Sequence, residues 1–411
     1  MPSALPASYR LDVPTPAALK RWAPNLLLLL VATGMALLVT ESILASVGTT
    51  RLARKSGPTD STRDIVLRLR SGGRYAVPRV PGNVLVDTGQ RFMADDSTWL
   101  YPIGPAPGRA TVVLCADGPT EVTYEADRFG FNNPDAIWDA GPAELAILGD
   151  SYTAGVCVRR EDQIPTLLNE VRPTVNLGMS GAGPLRELAI LREYARLLTP
   201  RVVAWVYYEG NDLWDLSGET TRSWLTGYLE PDGVQELASR QRALDAPYEQ
   251  WVDSIFVADP ASATAPASAR DVVRFLTGLP RLERLRDLLH VGELFPDDEP
   301  DLGLLPDVLG VARAEIESWG GRMLLVYMPD LARYDTWIGS GPRGREDLLE
   351  LARAEDIATL DLDIEFREHG DPQALWSRST AHLNEEGYRI AAEAISYAVD
   401  SLMTTPPPES L

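Results

Sequence analysis

The chain has 411 residues, 45% of them hydrophobic and 24% charged, and carries a formal net charge of -21 at pH 7. That composition is globular, and the length allows one large domain or two ordinary ones. The acidic balance excludes a nucleic-acid partner, because phosphate binding needs a clustered basic surface and none is present.

The first element in chain order is "KRWAPNLLLLLVATGMALLVTESILASVG", where Lys20 and Arg21 precede an apolar stretch from Leu26 to Val39. Ile43, Leu44 and Val47 extend the stretch past Glu41. A bilayer core takes about 20 mostly apolar residues, so the pattern predicts an N-terminal arm over 1–56 with a single transmembrane anchor at about 25–47. A cleaved signal peptide, with Ala45 near a small-residue cleavage site, and a buried soluble helix are the other readings. Arg51, Arg54 and Lys55 follow the span, so basic residues flank both sides and do not settle orientation. The short arm favours a body exported to the periplasm or cell exterior.

Residues 57–140 are rich in turn residues and in short runs such as "ATVVLCAD" and "TEVTYEAD", which predicts a small β-rich lead-in. Cys115 and Cys157 are too far apart in sequence for a metal pair; they either form a disulfide, as an exported protein allows, or remain buried thiols. From about Gly141 to residue 403, short apolar runs alternate with helical patterns, the signature of a parallel sheet with helices on its faces. The candidate strands are "ELAILGD", "TVNLG", "RVVAWVYYEG", "RMLLVYMP" and "DIATLDL", each apolar throughout, as strands covered on both faces are.

Leu185, Leu188, Leu191, Ala195 and Leu198 recur at helical spacing between the second and third strands. Tyr388, Ala391, Ala392, Ile395 and Val399 do so in the last helix, with Asn384 as its N-cap. The stretch of about 213–300 is too long for a plain connection and predicts a helical insertion containing "RDVVRFLTGLPRLERLRDLL". The tail 404–411, "TTPPPESL", predicts disorder.

Chemistry gathers at the strand ends. "ELAILGD" runs into "SYTAG", which places Ser151 at the carboxyl end of a parallel sheet and at a helix N-terminus, although Asp-Ser there is commonly only a cap. The second strand ends in "NLGMSGAGPL", whose Gly178, Gly181 and Gly183 suit either a close backbone approach to a ligand or a simple turn. The third ends in "YYEGNDL", where Asn211 can donate to an oxyanion or merely turn the chain. A histidine, His382, arrives in "WSRSTAHLNEEGY" just before the final helix. Together these supply a nucleophile, oxyanion donors and a general base, the inventory of serine acyl transfer.

The order Gly149-Asp150-Ser151, Gly181, Gly210-Asn211-Asp212 and a late His382 resembles the SGNH (GDSL) hydrolases, over about residues 141–400. "DRFGFNNPD", residues 127–135, resembles a stretch that precedes this block in membrane-anchored bacterial members, and would pin the lead-in beside the catalytic domain. The resemblance implies a flavodoxin-like three-layer α/β/α fold with about five mainly parallel strands. It implies Ser151 as nucleophile and His382 as general base. The Ser151 N–H, the Gly181 N–H and the Asn211 side chain would form the oxyanion hole; Gly181 is preferred to Gly178 for its Ser-Gly pair. The implied activity is an esterase acting through an acyl-serine, on an O-acetyl or similar small acyl group of a carbohydrate or other acylated molecule. An O-acyltransferase of an envelope polysaccharide and a non-catalytic binding or scaffold protein are the alternatives.

In that family an aspartate usually stands three residues before the histidine; here the position is Ser379. A backbone carbonyl or Ser379 can orient His382 as part of a dyad, or Asp361, Asp363 or Asp371 can serve as a displaced third member. A binding domain without efficient turnover is the third reading. His290 and His369 stand in no metal motif, and neither a metal nor a cofactor is expected.

Overall fold

The computed structural model describes residues 24–25, 28–29, 32–42, 60–94, 96–115, 121–257, 302–334, 344–377 and 382–404. The chain divides into two compact units, Met1–Ala53 with Ala265–Phe295 and Arg54–Thr264 with Pro296–Leu411. In the first unit residues 32–42 are helical. Among the described residues no helix is long and apolar enough to cross a membrane. The anchor expected at about 25–47 therefore gains no support, and residues 26, 27, 30, 31 and 43–47 of it lie outside the described residues. So do the expected insertion helix from Arg270 to Leu289, His290 and the tail after Thr404. Thr404 itself ends the last helix.

The second unit opens with the helix Asp60–Ser71 and five strands: β1 (Ala76–Pro78), β2 (Phe92–Met93), β3 (Trp99–Leu100), β4 (Thr111–Cys115) and β5 (Val122–Glu125). β1 pairs in parallel with β4, β4 pairs antiparallel with β5, and β2 and β3 pair with each other. Beside these strands the lead-in carries two helices, Asp60–Ser71 and Gly82–Thr88, which its turn-rich composition conceals.

Five further strands follow: β6 (Leu145–Gly149), β7 (Thr174–Gly178), β8 (Val202–Tyr208), β9 (Arg322–Met328) and β10 (Ala358–Asp361). They form one sheet in the order β10-β9-β8-β6-β7, parallel throughout. This is the flavodoxin-like order, and its topological switch point lies where the chain leaves β6 for β7 and then crosses to β8 on the other side.

Alternate residues of each strand feed two cores. Leu145 and Ile147 of β6 and Ala204 and Val206 of β8 pack with Tyr388, Ala391, Ile395 and Val399 of the helix Glu385–Thr404. Ala146 and Leu148, with Val203 and Trp205, pack against the helices Pro184–Glu193 and Leu305–Ser318 on the opposite face. The result is three layers, α/β/α. β10, at one edge of the sheet, departs from the all-apolar expectation, being only partly buried.

Among the ties that bind the lead-in to the core domain are a side-chain clamp on β7 and a disulfide. Asn133 of "DRFGFNNPD" donates from Nδ2 to Asn176 O and accepts from Asn176 N at Oδ1, so it extends β7 sideways. Its neighbour Asp127 is buried and gathers N–H donors from Phe129, Phe131, Asn133 and Trp138. The second tie is a disulfide between Cys115 at the end of β4 and Cys157, which settles the open pairing in favour of the bridge. The bond closes a loop with a sequence separation of 42, worth about 4 kcal/mol of unfolded-chain entropy. Full reduction should therefore lower the free energy of urea unfolding by about 2–4 kcal/mol; an unchanged midpoint in oxidised and reduced protein would contradict this.

Candidate active site

Ser151 begins a four-residue helix, Ser151–Ala154, directly after β6. Gly149 makes that junction possible, because a Cβ there would stand 2.4 Å from Thr153 Oγ1 and 2.9 Å from Val206 O. Asp150 caps the helix by accepting from Tyr152 N at 3.0 Å. Gly178, at the end of β7, lets the strand run under this helix; its Cβ would meet Ala154 N at 2.4 Å. The nucleophile candidate is thereby raised at the switch point, 9% exposed.

His382 reaches it from the far end of the chain. Its Nε2 stands 2.9 Å from Ser151 Oγ across a sequence separation of 231. The backbone around it is held on both sides: Ser377 N donates to His382 O, and Leu383 bridges to Trp376. Asn384 caps the final helix as expected, accepting from Gly387 N at 3.0 Å. The imidazole lies 5.0 Å from the Tyr152 ring, centroid to centroid.

The other two site residues end the neighbouring strands. Gly181 follows β7 in the left-handed region at φ 69, where a Cβ is strained, and Asn83 Oδ1 of the lead-in would be 3.2 Å from that Cβ. Gly178 spends its N–H on Asn176 Oδ1, so of the two glycines weighed from the sequence it is the one whose donor is already committed. Asn211 follows β8 at the start of the helix Asp212–Glu219, with its Nδ2 donating to Asp215 Oδ2 at 2.9 Å. β8, β6 and β7 are neighbours in the sheet, with adjacent strands about 4.8 Å apart, so Asn211, Ser151 and Gly181 each follow the carboxyl end of one of three adjacent strands, where ligands bind in the crevice of open α/β sheets.

Ser379 lies outside the described residues. Of the displaced-carboxylate candidates, Asp361 and Asp363 have other side-chain occupations, whereas the contact of Asp371 with His369 is through its backbone. Asp361 is paired with Arg345 and caps the helix Leu362–Glu368 through Asp363 N. Asp363 accepts from Tyr334 and Arg367, and Asp371 offers its carbonyl to His369 Nδ1. The carboxylate that does stand at the site is Asp150, whose Oδ2 accepts from Ser151 Oγ at 3.1 Å. Burial raises its pKa, while the N–H groups of Tyr152 and Ser151 and the charge of His382 hold it down. Its place was legible in the Gly-Asp-Ser block itself, where it reads first as a cap.

Beneath the crevice lies a group of acids. Glu187 and Asp212 are fully buried. Glu187 Oε2 accepts from Trp205 Nε1, and Asp212 Oδ2 from Tyr208 N. Among the described residues, each has a second oxygen without a donor. Both carboxyls are pushed well above the usual carboxylate range, by burial first and then by neighbouring carboxylates, Asp150 being common to both. The sequence signal was the acidic residues inside the apolar runs "PLRELAILRE" and "NDLWDLSGE". Among the described residues no three His, Cys, Asp or Glu side chains are grouped as metal ligands.

Sequence comparison finds no matching family model and no matching curated protein. Solved structures do match. A putative lipolytic protein of the G-D-S-L family from Desulfitobacterium hafniense is 12% identical, covering 62% of this chain and 98% of that one, with a TM-score of 0.34. A two-domain esterase active on acetylated mannans is 11% identical over 67% of this chain and 53% of that one, TM-score 0.33. An acetyl xylan esterase is 14% identical over 62% and 98%, TM-score 0.34. Likenesses this distant carry no argument about activity, which rests on the chain's own residues. The proteins to which this chain is structurally similar are thus GDSL-type lipolytic proteins and esterases, and its own sheet is the three-layer α/β/α arrangement that the sequence resemblance implied.

Proposed function

We propose that the protein is a serine esterase of the SGNH type, working through an acyl-Ser151 intermediate. The observation that carries this reading is the 2.9 Å contact between His382 Nε2 and Ser151 Oγ at the sheet's switch point. Ser151 Oγ attacks the ester carbonyl while its proton passes to His382 Nε2. The oxyanion is met by Asn211 Nδ2 and by the N–H groups of Gly181 and Ser151. Collapse expels the alcohol, which takes the proton from His382; water then repeats the sequence on the acyl-enzyme. Asp150 places a carboxyl beside the reacting pair, where its negative charge would favour the imidazolium in a chain with serine at position 379.

The substrate class is proposed as a small acyl ester, an O-acetyl group on a carbohydrate being the first to test. The single-pass anchor and a periplasmic or extracellular body remain part of the proposal. They rest on the apolar N-terminal stretch, and the Cys115–Cys157 bridge supports an oxidising compartment.

A fluorophosphonate probe should label the wild-type chain at Ser151 and leave Ser151→Ala unlabelled, and acetate should be released from acetylated xylan or mannan. Folded wild-type protein that takes up no label would sink the esterase reading in favour of a binding protein. Asn211→Ala should lower kcat by about 10²- to 10³-fold with KM little changed, as loss of one oxyanion donor does. A wild-type kcat in that variant would remove Asn211 from the hole.

A further inference from the structure

Asn211 stands at the N-cap of the helix Asp212–Glu219 but its side chain does not cap it. Instead Nδ2 donates to Asp215 Oδ2 at 2.9 Å, one turn along. Among the described residues the other end of the amide, Asn211 Oδ1, is buried without a partner. An amide nitrogen has two hydrogens, so a bond from one of them fixes the plane in which the other points.

The next turn of the same face holds the second oxyanion element. Glu219 accepts from Gly183 N at 2.9 Å, Leu185 N at 3.0 Å and Arg186 N at 3.2 Å. These are the first free N–H groups of the helix Pro184–Glu193, which opens directly after the Gly181 turn. Gly183 has no room for a side chain there, its Cβ position lying 2.7 Å from Asp215 Cβ. Positions 211, 215 and 219 are four residues apart and lie on one face of the helix.

On the acyl-serine reading above, we propose that Asp215 is a positioning residue that aims the free N–H of Asn211 at the oxyanion, while Glu219 holds the Gly181 turn in register with it. Asp215 needs to accept a hydrogen bond without bringing a full negative charge to the site. Its carboxyl is pushed up to about 8, by burial first and then by the charges of Glu219, Asp150 and Asp87, with Arg186 opposing. It is therefore largely neutral at pH 7, and its ionisation above that range sets a charge against the oxyanion.

The test uses the full chain with p-nitrophenyl acetate, reading kcat and KM across pH for wild type, Asp215→Leu and Asp215→Asn. Asp215→Leu should lose about 10²-fold in kcat with KM within about three-fold. Wild type should lose kcat as pH rises through about 8, whereas Asp215→Asn keeps an acceptor for Asn211 and should recover most of the loss without that fall. A wild-type kcat in Asp215→Leu overturns the inference. So does an Asp215→Asn enzyme that is as impaired as the leucine variant or that keeps the alkaline fall, a result that decides even if Asp215→Leu does not fold. These results leave the esterase reading standing. Wild-type chain that neither turns over nor labels at Ser151 overturns that reading and this inference with it.

Discussion

Ser151→Ala should lower kcat for p-nitrophenyl acetate by about 10⁶-fold, and His382→Ala by a similar factor, because nucleophile and base act as one unit. The expectation follows from the 2.9 Å contact between the two side chains. Without the imidazole, the acceptor left to Ser151 Oγ among the described residues is Asp150 Oδ2, and a carboxylate is a poorer base toward a hydroxyl than a neutral imidazole. The double variant should therefore be no slower than either single one, leaving only the residual rate contributed by the oxyanion donors and binding. Single losses that multiply in the double variant would show that the two residues act independently, and would remove His382 as the base of Ser151.

The second large effect is on stability. Glu187 and Asp212 are buried with carboxyls raised well above their usual range, Glu219 is pushed up to about 7 and Asp215 to about 8. In each case the folded state binds the proton more tightly than the unfolded chain does. The stability they contribute is full below the ordinary carboxylate range near about pH 4, and is lost as pH rises through the raised values. Each pH unit in that window costs about 1.4 kcal/mol per fully titrating group, so several groups together amount to several kcal/mol. The urea midpoint should fall steadily from pH 5 to pH 8.5, and Glu187→Gln and Asp212→Asn should each flatten the decline. A midpoint that holds level or rises over that interval would mean that these carboxyls are ionised in the folded protein.

The function of such a costly cluster is local. Asp212 fixes the end of β8 through Tyr208 N, Glu187 holds Trp205 within the same strand, and Glu219 fastens the start of the helix Pro184–Glu193. Asp212 and Glu219 meet backbone donors at the turns that carry Asn211 and Gly181, and Glu187 satisfies the buried indole N–H of Trp205 beside them.

By itself the sequence determined the sheet, the three blocks at its strand ends and the histidine block before the last helix. Uninterrupted apolar runs mark strands covered on both faces, and a helix stripe marks its buried side, because burial is written in local periodicity. Gly149, Gly178 and Gly181 were legible for a related reason: close approach or a left-handed turn leaves few residue types that fit. Only the tertiary structure decided what lies far apart in the chain. The pairing of Cys115 with Cys157, the approach of His382 to Ser151 and the hold of Asn133 on β7 depend on how strands order themselves, which no local window encodes. The stripe on Pro184–Glu193 marked one face as buried, yet every residue of that helix is buried, because the lead-in and the segment after β8 cover its other side. That cover buries Arg186 against Pro102 O of the lead-in, while the sheet beneath buries Glu187 against Trp205.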